Sequence, residues 1–116
     1  RYRLWVNDEF VGTGPARFVT QFPEYDEVDL CPFLDAGKNE IRVEVNFFGA
    51  SSFQTMPDGK PGFIAAGPGL ETPGNWTAEL GLQWDPDAPV FSFAQGPVEI
   101  RDLTVSNRPV PVRILD

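Results

Sequence analysis

Apolar and polar residues alternate from the first positions of the chain. Tyr2, Leu4 and Val6 fall on one face of an extended strand, and Arg1, Arg3 and Trp5 on the other. Asn7-Asp8 follows, a pair that tolerates the positive φ angles of a two-residue hairpin turn, and Glu9-Phe10-Val11 reads as the returning antiparallel strand. Gly12-Thr13-Gly14-Pro15 ends it. The clearest run of period two lies at 41–47, with Ile41, Val43, Val45 and Phe47 on one face and Arg42, Glu44 and Asn46 on the other. Trp76, Ala78, Leu80, Leu82 and Trp84 alternate in the same way, until Asp85-Pro86-Asp87-Ala88-Pro89 breaks the pattern.

Shorter signals fill the intervals. Residues 17–22 and 25–30 read as extended pieces, the second anchored by Tyr25, Val28 and Leu30. Cys31-Pro32-Phe33-Leu34 suits a single helical turn, and Gly37-Lys38-Asn39 a reversal. Residues 62–66 are apolar and predict a short buried strand, and 90–93, 98–100, 103–105 and 110–115 predict further strands. Residues 49–61 and 67–75 are loops rich in turn formers. Many short strands with a turn signal every eight to twelve residues or so predict an antiparallel β-sandwich or barrel. No internal repeat or boundary shows, so one module over 1–116 is expected.

Composition sharpens this picture. Proline (12) and glycine (11) take about a fifth of the 116 residues, against a usual share of about 12%. Long helices cannot pass through such punctuation. The formal net charge of −8 repels phosphate backbones and anionic membrane surfaces, so no nucleic-acid or membrane partner is expected. Neutral ligands remain permitted. The single cysteine, Cys31, has no intrachain disulfide partner and is expected to be a small buried hydrophobe. The chain opens inside a strand, as a fragment of a longer protein would.

Catalytic chemistry is sparse. With no histidine, the Ser-His-Asp and Cys-His arrangements and nearly all ordinary zinc sites are out of reach. Gly12-Thr13-Gly14 lacks the third glycine of a dinucleotide fingerprint, since Arg17 stands there. Asp85-Pro86-Asp87 opens like a calcium loop without its glycine and closing glutamate, and is expected to be a solvated turn. Glu24, Asp26, Glu27 and Asp29 are too close in sequence to face one another across a glycosidase cleft. Asn75-Trp76-Thr77 matches a glycosylation acceptor, meaningful only in a eukaryotic secretory protein. No cofactor is expected, with a structural calcium left open.

The binding residues are the tryptophans and some loop polar groups. A sugar site wants an aromatic platform beside a few fixed polar groups. Trp76 and Trp84 fall in register and are candidates to share a face, with core packing as the competing reading. Asn46 and Asp58, with Gln54 and Lys60 behind them, are candidate hydrogen-bonding partners. Trp5, opposite Leu4 and Val6, is either an inter-domain contact or part of a second apolar face. Arg17 reads as a buried arginine tying a loop to a carboxylate.

The stretch from Tyr2-Arg3-Leu4-Trp5-Val6-Asn7-Asp8 through Phe10-Val11-Gly12 to Gly14-Pro15-Ala16-Arg17 resembles bacterial α-L-rhamnosidase-like glycoside hydrolases. Tyr25-Asp26-Glu27-Val28-Asp29-Leu30, Leu34, Gly37, Asn39 and the strand from Ile41 to Val45 continue the likeness in order, and Phe93-Ala94-Gln95-Gly96-Pro97 and Arg108-Pro109-Val110-Pro111 extend it loosely. The same hairpin pattern occurs in the galactose-binding-like sandwich of other glycoside hydrolases, β-galactosidase types included. The resemblance implies an all-β, jelly-roll, galactose-binding-like antiparallel β-sandwich that flanks a separate helical catalytic domain. No catalytic residue carries over. The usual turn glycine is replaced by Asp8, and the strands that normally precede Tyr2 are absent.

The expected role is therefore a non-catalytic accessory domain, bracing the catalytic domain of its parent chain through apolar patches such as Trp5 or Phe48, and contacting oligosaccharide. An independent carbohydrate-binding module and an unrelated adhesion sandwich are the rivals. The resemblance is compatible with a periplasmic, secreted or cytoplasmic bacterial parent.

Overall fold

The computed structural model describes residues 1–19, 21–49 and 61–113. The chain divides into two compact units, residues 1–59 and 60–116. Both are built from antiparallel strands, so the fold is all-β, with one 3-10 turn at Cys31–Phe33 as the helical element among the described residues.

In the first unit three strands form a sheet in the order β2-β1-β3: β1 (Tyr2–Val6), β2 (Glu9–Gly14) and β3 (Ile41–Val45). The Asn7-Asp8 turn has φ values of 51° and 64°, the left-handed pair that matches the twist of two adjoining strands. Register runs Val6–Glu9 and Trp5–Phe10, then shifts by one residue, so that Leu4 faces Gly12 and Tyr2 faces Gly14. This bulge lets β2 bend without reversing the faces of β1.

Against β3 the register is regular, pairing Tyr2 with Val45, Leu4 with Val43 and Val6 with Ile41. The alternation of both strands thus builds one apolar face. Val6 is 0% exposed and Leu4 8%, and they are the buried hydrophobic residues among those described. Their central strand shields them from both sides, whereas Val45 on the outer strand is exposed.

The opposite face is mixed. Arg3 pairs with Glu44 at 2.8 Å. Trp5 meets Phe10 edge-on at 5.7 Å, and the Arg42 guanidinium lies 4.6 Å from its ring centroid. Trp5 is therefore held by its cross-strand neighbours, a small second apolar face with a cationic cover.

Two asparagines lock the segment before β3 onto the hairpin. The Asn7 amide donates to Phe33 O (3.1 Å) and Asn39 Oδ1 (2.8 Å), and its oxygen accepts from Glu40 N (3.0 Å). Asn39 in turn accepts from Asp35 N and donates to the carbonyls of Asp35 and Gly37. At the other end of β1, Tyr2 Oη donates to Asp26 Oδ2 at 2.5 Å. Gly14 lies so close that a Cβ there would overlap Asp26 Oδ2 and the Tyr2 ring.

The second unit holds β4 (Ala78–Leu80) and β5 (Arg108–Val110), with Ala78 opposite Val110 and Leu80 opposite Arg108. Pro109 sits in β5, where a two-stranded ribbon leaves an edge that needs no donor. Two isolated bridges, Trp84–Arg101 and Val90–Pro97, add pairing further along.

Several expected elements differ. The described parts of 17–22, and residues 25–30 and 62–66, join no ladder, although Phe22 N closes a turn on Val19 O and Ala65 O accepts from Thr72 N, and 103–105 forms a turn. The strand expected over 76–84 exists only at 78–80, because Leu82 N bonds to Leu80 O and Trp84 N to Gly81 O, reversing the chain. Of the strand expected at 90–93 only the bridge at Val90 remains, the one expected at 98–100 lies between the bridged Pro97 and Arg101 without forming a ladder, and that of 110–115 ends at Val110, with 114–116 outside the described residues. Apolar alternation names a face, but a strand also needs a partner of matching register, which no local pattern supplies.

Two side-chain expectations are corrected as well. Arg17 is exposed, not buried, because the segment carrying it runs along the surface. Cys31 is also exposed: it opens the 3-10 turn, with its N–H bonded to Asp29 Oδ1 at 3.0 Å, and projects outward from it.

Candidate functional site

In the second unit the chain leaves β4, turns, runs out to residue 92 and returns to residue 102. Its base is stitched by Asp85 N to Ile100 O (3.0 Å) and Asp102 N to Gln83 O (2.8 Å), flanking the Trp84–Arg101 bridge. Farther out Val98 N donates to Pro89 O (3.0 Å), and Gln95 N and Gly96 N both donate to Ser92 O at the tip. Gly96 takes φ 72° there, which a glycine supplies without strain.

Alternation across this ribbon sorts its side chains. Trp84 and Arg101 stand opposite each other, with the guanidinium 5.1 Å from the ring centroid. Arg101 Nε and Nη2 also donate to Gln83 Oε1, at 2.9 and 2.6 Å. One cation thus fixes both the indole and the carboxamide. The Gly81 turn aims the indole, since a Cβ at Gly81 would come within 3.1 Å of Trp84 Cδ1.

An open cleft of about 320 Å³ lies at this base. Leu82, Trp84, Pro86, Ile100 and Val105 supply its apolar lining. Gln83, Asp85 and Asp102 supply its polar groups. That volume falls at the small end of the roughly 300–1,000 Å³ range of ligand clefts. Each carboxylate is oriented by its own turn: Asp85 Oδ1 accepts from Asp87 N (2.9 Å), and Asp102 Oδ1 from the Thr104 hydroxyl and N–H (2.6 and 2.9 Å). The Thr104 bonds hold the Asp102 carboxyl below its usual value, so it is ionised at neutral pH.

Of the residues singled out from sequence, Trp84 lines this cleft. Trp76 belongs to a different cluster, with Nε1 bonded to Leu70 O at 3.0 Å and its ring edge-on to Phe63 at 5.2 Å. The turn at 80–84 removes the continuous strand that would have placed the two indoles in register. Asn46 lies in the first unit, where its backbone bonds Arg1 at 2.8 and 2.9 Å and extends the β1–β3 ladder. Asp58, Gln54 and Lys60 lie outside the described residues. Asp26 and Asp29 of the acidic cluster serve Tyr2 Oη and Cys31 N.

Gln83, Arg101 and Asp102 were not apparent as a group in the sequence. The usable signal was the Gln95-Gly96-Pro97 turn between the apolar stretches 90–93 and 98–100, since a reversal there brings 83–85 back to 100–102. Among the described residues no helix is long and apolar enough to cross a membrane, and no group of three or more His, Cys, Asp or Glu side chains is placed to hold a metal ion. No family model, curated protein or solved structure matches the chain.

Proposed function

We propose that this chain is a non-catalytic accessory module that braces a larger carbohydrate-processing protein, a counterpart of the jelly-roll, galactose-binding-like β-sandwich of rhamnosidase-like glycoside hydrolases. The observation that carries the reading is the apolar surface it leaves in water. Ile64 is 88% exposed, Tyr25 81% and Phe91 77%, while burial is confined to Leu4 and Val6 among the described hydrophobic residues. Scattered apolar residues on a surface are ordinary, but large aromatic and aliphatic chains this exposed, Tyr25 in the first unit and Ile64 and Phe91 in the second, fit side chains that a neighbour covers. The ordered likeness over most of residues 2–66 supports the catalytic domain of a parent chain as that neighbour.

The test is hydrogen exchange of the chain alone and joined to the remainder of its parent polypeptide. Amides around Ile64, Phe91 and Leu103 are expected to slow when the neighbour is present. Identical exchange in both forms would remove the bracing role. The cleft beside Trp84 supports a second reading, sugar binding by the module itself.

A further inference from the structure

We infer that the outer edge of β3 docks a second copy of this chain, strand against strand across a two-fold axis. This stands on the three-stranded sheet alone and does not require the bracing role. Backbone geometry sets what the edge offers. Arg1 and Asn46 exchange two backbone hydrogen bonds, at 2.8 and 2.9 Å, and Asn7 N donates to Glu40 O. In an antiparallel ladder such pairs recur at every second residue, so Arg3–Glu44 and Trp5–Arg42 are bonded pairs as well. The N–H and C=O groups of Ile41, Val43 and Val45 therefore point away from β1. Among the described residues, none bonds to them on that side. The other edges are blunted, β2 by its bulge and two glycines, β4 and β5 by a length of three residues and by Pro109. β3 has five regular residues without proline or glycine.

The side chains of β3 choose the occupant. Arg42 and Glu44 stand on either side of Val43, with opposite charges. An antiparallel copy centred on Val43 sets Val43 against Val43, Ile41 against Val45 and Arg42 against Glu44. Arg42 and Glu44 then meet at non-bonded positions, where side chains lie closest. They extend a row that already exists, because Glu44 holds Arg3 at 2.8 Å and Arg42 covers the Trp5 ring at 4.6 Å. The row becomes Arg3, Glu44, then Arg42 and Trp5 of the second copy. On the other face the pairing covers Val45, which is 44% exposed. The neighbouring registers set Arg42 against Arg42 or Glu44 against Glu44, and like charges directly opposite repel. An edge guarded against its own copy would carry charges of one sign, and this one does not. The joined sheet reads β2-β1-β3-β3-β1-β2, and the contact consumes both β3 edges, so association through it stops at two. Five residues a side make a small interface, and the charge of −8 on each copy opposes approach, so the dissociation constant is expected on the order of 0.1 mM.

The experiment is a concentration series of the isotope-labelled chain at low ionic strength, read by sedimentation equilibrium and by amide shifts and exchange. A monomer–dimer equilibrium without larger species is expected. The amides of Ile41, Val43 and Val45 should shift and exchange more slowly as the dimer fills, while those of Arg42 and Glu44, already bonded to β1, are slow throughout. Arg42→Glu alone and Glu44→Arg alone each set like charges opposite one another and should weaken pairing at least about tenfold. An equal mixture of the two variants brings opposite charges together again and should recover the parent's affinity. Val43→Pro removes an outward donor, spares the bonds to β1 and should abolish the dimer, with unchanged amide shifts over β1 and β2 showing that the sheet is intact. Three outcomes overturn the assignment: one monomeric mass at every concentration, a dimer whose shifts fall outside β3, or a dimer that Val43→Pro leaves as tight as before. Each leaves the exchange test at Ile64, Phe91 and Leu103 untouched, so the two readings fail separately.

Discussion

Asn7 does more for the first unit than any neighbouring residue, because its backbone and side chain act together. It holds φ at 51°, where asparagine is tolerated, while its amide bridges the hairpin to Phe33, Asn39 and Glu40. Asn7→Ala should therefore cost roughly 3 kcal/mol in urea unfolding, from partly buried groups losing partners and from left-handed strain. Asn7→Gly relieves only the strain and should cost less. Asp8, at φ 64°, has just a 3.7 Å exposed pair with Arg42 to lose, so Asp8→Gly should be neutral or stabilise by up to about 1 kcal/mol.

Two titrations test the polar contacts. Burial and the Asp26 carboxylate push the Tyr2 phenol up to about 12 from 10.0. The fold favours the neutral phenol, so the stability from this contact is complete below pH 10 and is lost as pH rises through about 12. In a Tyr25→Phe background, phenolate absorbance should rise late, and Asp26→Asn should bring the rise earlier. Cys31 is shifted upward by its hydrogen bond to Asp29 and by that carboxylate's charge. Its thiolate fraction at neutral pH is reduced, so alkylation should be slow and should quicken in Asp29→Asn. Equal rates in the two proteins would show that Asp29 does not restrain the thiol.

At the scale of elements, β1 is the strand on which the others depend. Val6 is wholly enclosed, so Val6→Ala should lower stability by about 2 kcal/mol, whereas Val45→Ala, on the same face of an outer strand, should cost about 1 kcal/mol or less. Chemical denaturation of the two variants reads the difference directly. The hairpin β1–β2 and strand β3 were legible because their determinants are local: a left-handed dipeptide, and alternation that both strands share. Strand 76–84 was not, because Leu82 and Trp84 alternate in sequence while the turn between Leu80 and Trp84 removes them from the ladder. The Trp84–Arg101 pairing spans a long connection, and its register is fixed by backbone bonds that leave no periodic trace. The candidate cleft was therefore legible only as one tryptophan.

At the scale of the whole chain, apolar surface and net charge oppose each other. Each unit has fewer than about 60 residues, a size at which a single core gives little stability, and both buried hydrophobic residues among those described belong to the first. Exchange should consequently be slowest at β1 and β3 and fast through most of 61–113. The exposed side chains should also bind a hydrophobic dye such as anilinonaphthalene sulfonate. In Ile64→Ser/Phe91→Ser that signal should fall while stability stays within about 0.5 kcal/mol of the parent, because both side chains already face water. The charge of −8 keeps such molecules apart by mutual repulsion. Raising salt screens that repulsion and leaves the apolar contacts intact, so light scattering should report self-association that grows with ionic strength and is suppressed in the same double variant. A chain that neither binds the dye nor associates in salt would have its apolar residues satisfied internally, and the need for a covering neighbour would disappear.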